Sequence, residues 1–384
     1  MRPFDNESMP ATGPARAGAL YGPEFVDGRP LLSLARRALR YNAPLAFIVL
    51  AYLCAGALEE LALGVNVRSQ LSGVAYAMSK AQVVVAFLVF CLYLAYLAFV
   101  EKPDKIFPHA FGRLRVILLS PGRWAYALPP IILLPLFITT FTAIKTMIPM
   151  AQPFAWDPLF AEWDRLLHGG IHPWEWLQPV LGYPLVTMGI YKVYIAWLLA
   201  IHIVLFWQIF SLQRPLLRMR FLIAFVLTWA LVGSLGGTLL SSAGPVYYGA
   251  VTGLSDPYAP LLAYLHELKD MPGFELVKIQ DWLWSTYANG LTRDYGGISA
   301  MPSMHVAVAT LLALLGWSTH RYLGYALSVF ALLILIGSVH LAWHYAIDGY
   351  LGAAAAALIW FGTGYVLRRW PGLLGPAPPL RSDG

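Results

Sequence analysis

Long apolar runs, separated by short basic or aromatic-rich stretches, dominate the chain. Eight of them come close to the ~20 residues that a helix needs to cross a bilayer. They cover 43–63, 81–100, 127–148, 185–210, 219–241, 302–318, 323–341 and 345–367. This pattern predicts an all-α, polytopic membrane helical bundle of about eight transmembrane spans plus interfacial helices. The segment 149–184 is of another kind. In PFAWDPLFAEWDRLLHGGIHPWEWLQPVLG, Trp and Leu alternate with acids. That pattern fits an interfacial or re-entrant amphipathic helix pair, broken at Gly169–Gly170. Residues 242–301 are polar with scattered aromatics and read as an outer loop.

The same pattern sets the organisation. Residues 1–42 are polar, rich in Pro and Gly and then basic, and form an N-terminal segment without the apolar stretch of a signal peptide. Spans fill 43–148, the amphipathic pair follows at 149–184, and the remaining spans with loop 242–301 occupy 185–368. The tail 369–384, rich in Pro and Gly, is expected to be flexible.

Composition supports the membrane reading. The chain is 59% hydrophobic and 12% charged, whereas a soluble protein carries roughly a quarter charged residues. Many of the 14 Trp and 21 Tyr sit at the ends of apolar runs, as an interfacial belt requires. The net charge of +6 does not point to nucleic acid, because the basic residues cluster in short loops between spans. With the N-terminus inside, 18 Lys and Arg fall in inside segments and 6 in outside loops. The positive-inside rule then places both termini in the cytoplasm. Cys54 and Cys91 lie within apolar runs and are expected as buried small hydrophobes.

This orientation gives the candidate chemistry one address. His305 opens the sixth span, His340 closes the seventh, and His344 and Asp348 open the eighth, all at the outer interface. In WHYAIDGYLG, the i, i+4 spacing places His344 and Asp348 on one helical face. The carboxylate can fix the imidazole tautomer and leave the other nitrogen free as nucleophile or base. An ionisable residue at such depth usually marks function, although a structural His–Asp pair has the same spacing. Pro302 suits a first helical turn, and Ser303 with the free N–H groups of that turn would form an anion site. Beside it, His305 could protonate a leaving alkoxide. A capped helix start alone would explain the same residues.

Taken together, Pro302-Ser303-Met304-His305 and His344-Tyr345-Ala346-Ile347-Asp348 resemble blocks of the type-2 phosphatidic-acid phosphatase superfamily. That family's pattern is K-x6-R-P, then P-S-G-H, then S-R-x5-H-x3-D. The resemblance implies that His344 is a nucleophile forming a phosphohistidine, Asp348 its orienting partner and His305 the acid/base, with Ser303 holding phosphate. The chain departs from the pattern at Met304, at Ser338 in place of the third-block Arg, and in Ser241–Tyr248, where the first block was expected and no Lys or Arg stands. These departures resemble the branch that includes inositol phosphorylceramide synthases, which reads roughly G-G-x-x-x-P-S-x-H and H-Y-x-x-D; here Gly296-Gly297 precede Pro302 through His305 with four residues between in place of three, and His344 through Asp348 fit the second block. That branch implies inositolphosphotransferase-type chemistry on sphingolipids.

Loss of cations leans toward a singly charged phosphodiester donor. Lys192 and Arg293 are the candidate replacements. Their alternatives are snorkelling to the interface and a solvated loop charge. His340 could line the site or simply close its span. His168 and His172 read as loop residues, and Asp157 and Asp164 as head-group ligands or solvated acids. Zinc accepts His305, His340, His344 and Asp348 as residue types, yet the implied chemistry requires no metal, so no cofactor is expected. The expected activity is transfer of a phosphoryl or phospho-head group from a membrane lipid donor to a lipid alcohol. With water as acceptor the enzyme would be a lipid phosphatase, and a transporter or channel is the reading from another class.

Overall fold

The computed structural model describes residues 31–65, 87–91, 93–118, 120–290 and 297–375. Within them the chain is all helical. Six helices are long and apolar enough to cross a membrane by length and composition. We label α1 (Leu31–Leu63), α2 (Pro121–Ala151), α3 (Asp157–Leu167), α4 (Pro173–Leu181), α5 (Pro184–Phe210), α6 (Pro215–Leu239), α7 (Ala259–Glu267), α8 (Leu276–Ala288), α9 (Met304–Thr319), α10 (Arg321–His340) and α11 (Ala346–Arg369). The six long ones are α1, α2, α5, α6, α10 and α11.

Local chemistry sets many of the boundaries. α2, α4, α5 and α6 each begin on a proline, where the missing N–H costs nothing and φ is already helical. Ser120 caps α2, its hydroxyl accepting from the Arg123 N–H. Within α2, the hydroxyls of Thr139, Thr140, Thr142 and Thr146 each donate to the carbonyl four residues earlier. Polar side chains on an apolar helix are satisfied this way without a partner element.

The expected span count differs from the structure at two places. Phe87–Glu101 and α9 are apolar but shorter than the other six. α9 has 16 residues, roughly 24 Å at 1.5 Å per residue, which falls short of a ~30 Å hydrocarbon core. Its surroundings explain the length. Val306, Val308, Leu311, Leu312 and Leu315 are all buried, because α9 runs inside the bundle. The long helices instead present Leu61, Leu185, Val329 and Leu358 outward. Such exposed apolar faces suit a lipid environment.

The segment 149–184 does form a helix pair, α3 and α4, and the break falls at Gly169 and Gly170, both with positive φ. Loop 242–301 is more structured than its polarity suggests, since it carries α7 and α8. Cys54 and Cys91 are unpaired and exposed on helix surfaces, not buried as expected. An apolar helix facing lipid has no polar side to distinguish its outside from its core.

Candidate functional site

The turn between α10 and α11 carries His344. Its N–H and that of Trp343 both donate to the Ser338 carbonyl, at 3.1 and 3.0 Å. Ser338 itself is fully buried. His344 is not on a helical face, as its spacing suggested. Tyr345 is the N-cap of α11 with extended backbone, so His344 precedes the helix. Asp348 reaches back over the cap. Its Oδ2 accepts from the Tyr345 N–H at 3.1 Å and lies 3.3 Å from His344 Nδ1. The i, i+4 spacing thus delivers a His–Asp pair through a capping turn. Burial pushes the His344 imidazole down to about 3; a hydrogen bond to the Ala300 backbone pulls the other way, and the nearby Lys145 charge adds to burial.

His305 sits in the first turn of α9. Its ring lies against Tyr194 and Trp197 of α5, with centroids 4.6 and 4.3 Å away. The Trp197 indole N–H donates to the His305 carbonyl at 2.9 Å. These contacts hold the imidazole edge-on to His344, ring centroids 5.8 Å apart. Ser303 is the α9 cap and is fully buried; its N–H donates to the Asp348 carbonyl at 2.9 Å. Pro302 precedes the cap and is not in the first helical turn. Ser303 therefore ties the starts of α9 and α11 together and does not stand on the cavity wall.

A cavity of about 420 Å³ opens in front of the two imidazoles. Phe141, Ile195, Trp197, Leu198 and Trp229 line it from α2, α5 and α6, while Tyr247, Leu276, Ile279 and Leu283 line it from loop 242–301. Lys145 of α2 lines the same cavity. Sequence reasoning sought the first family block near the end of the fifth span and found no cation. Earlier in the chain, Lys145 followed by Gln152-Pro153 resembles K-x6-R-P with Gln in place of Arg. Gly297 makes the approach possible: a Cβ there would meet the Lys145 carbonyl at 2.5 Å.

The other predicted residues fall elsewhere. Lys192 donates to the Gly273 carbonyl at 2.7 Å and is not on the cavity wall. Arg293 and Gly296 lie outside the described residues. His340 is buried away from the cavity, with Nε2 2.9 Å from the Thr187 hydroxyl. Tyr264 also bonds that hydroxyl, so the three side chains link α5, α7 and α10. His168 bonds Tyr350 at 2.9 Å and His172 faces Tyr258 at 3.4 Å.

Asp157 and Asp164 are neither head-group ligands nor solvated. Both are 1% exposed. Asp157 accepts from the Ser242 hydroxyl, the Ala243 and Gly244 N–H groups and the Tyr345 hydroxyl. Asp164 accepts from the N–H groups of Ala346 and Ile347 at the start of α11. The amphipathic helix α3 thereby clamps the turn that carries His344. Their position in an apparently interfacial segment hid this role; the only signal was that they recur at a two-turn interval, which puts both on the same face.

No curated protein and no solved structure matches the chain. A family model described as the PAP2 superfamily matches residues 159–362, more than half of the chain and the stretch that holds both histidines and Asp348. Members of that superfamily are phosphatases or phosphotransferases acting on lipid phosphates. The chain belongs to the PAP2 superfamily.

Proposed function

We propose that the protein moves a phospho-head group from a lipid phosphodiester to a lipid alcohol through a phosphohistidine on His344. The observation that carries this reading is the meeting of His344, braced by Asp348, with His305 and Lys145 at one cavity. The His344 ring attacks phosphorus as the P–O bond to the first lipid breaks, and His305 gives its proton to the departing alkoxide. Asp348 at Nδ1 leaves Nε2 as the attacking nitrogen. The acceptor alcohol then attacks the phosphohistidine, returning a proton to His305 and freeing His344.

Two features favour transfer between lipids. Among the described lining residues Lys145 is the only lysine or arginine, and one cation matches the single charge of a diester better than the two of a monoester. Both groups of lining residues are largely apolar, which suits a lipid on either side of the phosphorus. The P-S-x-H block and the H-Y-x-x-D block support the branch of inositol phosphorylceramide synthases. Counting Phe87–Glu101 and α9 as crossings gives eight spans, both termini in the cytoplasm and a site at the outer face, in line with the Lys and Arg distribution.

The test is to incubate purified protein with a head-group-labelled phosphodiester lipid, with and without a lipid alcohol. Label on the alcohol is the expected result. Water-soluble label in both reactions would make the protein a phosphatase. Acid-labile label on the wild type and none on His344→Ala would establish the intermediate; turnover retained by both His305→Ala and His344→Ala would overturn the chemistry.

A further inference from the structure

Asp348 keeps one oxygen without a partner. Its Oδ2 serves the Tyr345 N–H and His344, while Oδ1 is buried and unbonded. A buried carboxylate oxygen without a donor costs more than a neutral acceptor in the same position. The charge of Asp348 bears on three buried tyrosyl side chains, those of Tyr194, Tyr258 and Tyr345. Two of their hydroxyls are engaged elsewhere. The Tyr345 hydroxyl donates to Asp157 at 2.9 Å, and that of Tyr258 lies 3.4 Å from His172 Nδ1. The Tyr194 hydroxyl is buried with no partner.

Tyr194 stands where such a bond would matter. Its ring stacks on His305, with centroids 4.6 Å apart and 23° between the planes. Gly337 of α10 gives it room, since a Cβ there would meet Tyr194 Cδ2 at 3.2 Å. Both contacts belong to the ring and neither uses the hydroxyl. A ring packed for its shape alone would be served as well by Phe, which buries no polar atom. Buried tyrosines usually find a partner for the O–H. An unmet donor and an unmet acceptor therefore share one neighbourhood, behind the two imidazoles.

Resting on the phosphohistidine reading above, we propose that Tyr194 is a positioning residue for the reaction, its hydroxyl donating to Asp348 Oδ1 while its ring backs His305. The bond closes as His344 gains charge. Attack through Nε2 leaves the proton on Nδ1 and makes the ring cationic. Oδ2 is drawn to that N–H, and Tyr194 steadies the carboxylate from Oδ1. A hydrogen bond to an ionised group is the strong kind. One tyrosine then touches both halves of the site, the His305 ring by stacking and the His344–Asp348 pair by hydrogen bonding.

The experiment uses the full chain in detergent. Tyr194→Phe keeps the stack and removes only the hydroxyl. It should lower kcat roughly ten- to a hundredfold, the range of one hydrogen bond to a charged group. KM should hold, because the hydroxyl is buried and not presented to a ligand. Labelling of His344 in a single turnover should slow by the same factor. Thermal unfolding adds a sign that a packing role would not give. A hydroxyl that stays unpaired makes the Phe variant the more stable protein, whereas one bound to Asp348 makes it the less stable; the second is expected. In Asp348→Asn an amide NH2 replaces the Oδ1 acceptor, so adding Tyr194→Phe should neither slow turnover further nor lower Tm. Fully additive losses in the double variant, or a higher Tm in Tyr194→Phe, overturn the proposal. Wild-type kcat in Tyr194→Phe beside an inactive His344→Ala overturns the role of Tyr194 alone. Turnover retained by His344→Ala overturns the phosphohistidine reading and that role with it.

Discussion

Asp157 and Asp164 on α3 and Asp348 on α11 are all buried acids around one turn, yet they are bonded differently. Asp157 and Asp164 have a donor on every carboxylate oxygen. Asp348 leaves Oδ1 buried without a partner, and its contact with His344 is long at 3.3 Å. A saturated carboxylate fixes chain geometry, and an incompletely bonded one keeps a stake in chemistry. A buried polar atom without a partner costs stability, so the open Oδ1 is one place where the fold gives some up. On the proposed function, α3 and its acids form the brace, and α11 and its first turn hold the working parts.

The largest effect falls on the working side. His344→Ala should lower turnover by at least about 10⁴-fold while the melting curve and elution volume stay as in the wild type. Asp348→Asn sharpens the contrast. It keeps an oxygen for the Tyr345 N–H but fails to stabilise an imidazolium, so activity should drop roughly 10³-fold with little loss of Tm. Asp157→Ala should do the reverse. It strands four donors and should cost about 3 kcal/mol or more of stability, read as a fall in Tm that outruns any loss of kcat in the protein that remains folded. If Asp157→Ala silences a fully stable protein, or Asp348→Asn unfolds it, the division into brace and working parts is wrong. Lys145→Met should raise KM and reduce kcat/KM by about 10²-fold, with partial recovery in Lys145→Arg.

The smallest effect is in the pH profile. Burial holds His344 at about 3, below the ordinary value of about 6.5. A lowered pKa keeps the neutral, nucleophilic ring as the pH falls. The acid side of kcat/KM should therefore show no loss through pH 6.5 that follows His344. A unit-slope decline at that pH, removed together with His344, would refute the assignment.

Much of this was legible in the sequence. The apolar runs located the long helices, and the glycine pair located the break between α3 and α4. The outer-end argument gathered His305, His344 and Asp348, whose side chains the structure brings together from two neighbouring helix starts. Periodicity could not reveal that His344 stands before the cap, because i, i+4 spacing is common to a helical face and to a capping turn. Lys145 was passed over because an apolar helix hides its register, and because Gln152 replaces the arginine that would have marked the block. Asp157 and Asp164 were unreadable for a different reason. An acid in an amphipathic segment looks the same whether it meets water or the end of another helix, and only the packing of α3 against α11 decides.

The burial of α9 has a consequence for biosynthesis. A 16-residue helix offers too little hydrocarbon to hold its depth in a bilayer alone, so α10 and α11 must arrive before it can settle. His305 leaves the ribosome well ahead of His344, yet it has no fixed position until the rest of the bundle closes around it. On the proposed function the nascent chain is therefore inert through most of its insertion, and the site forms among the last events of assembly.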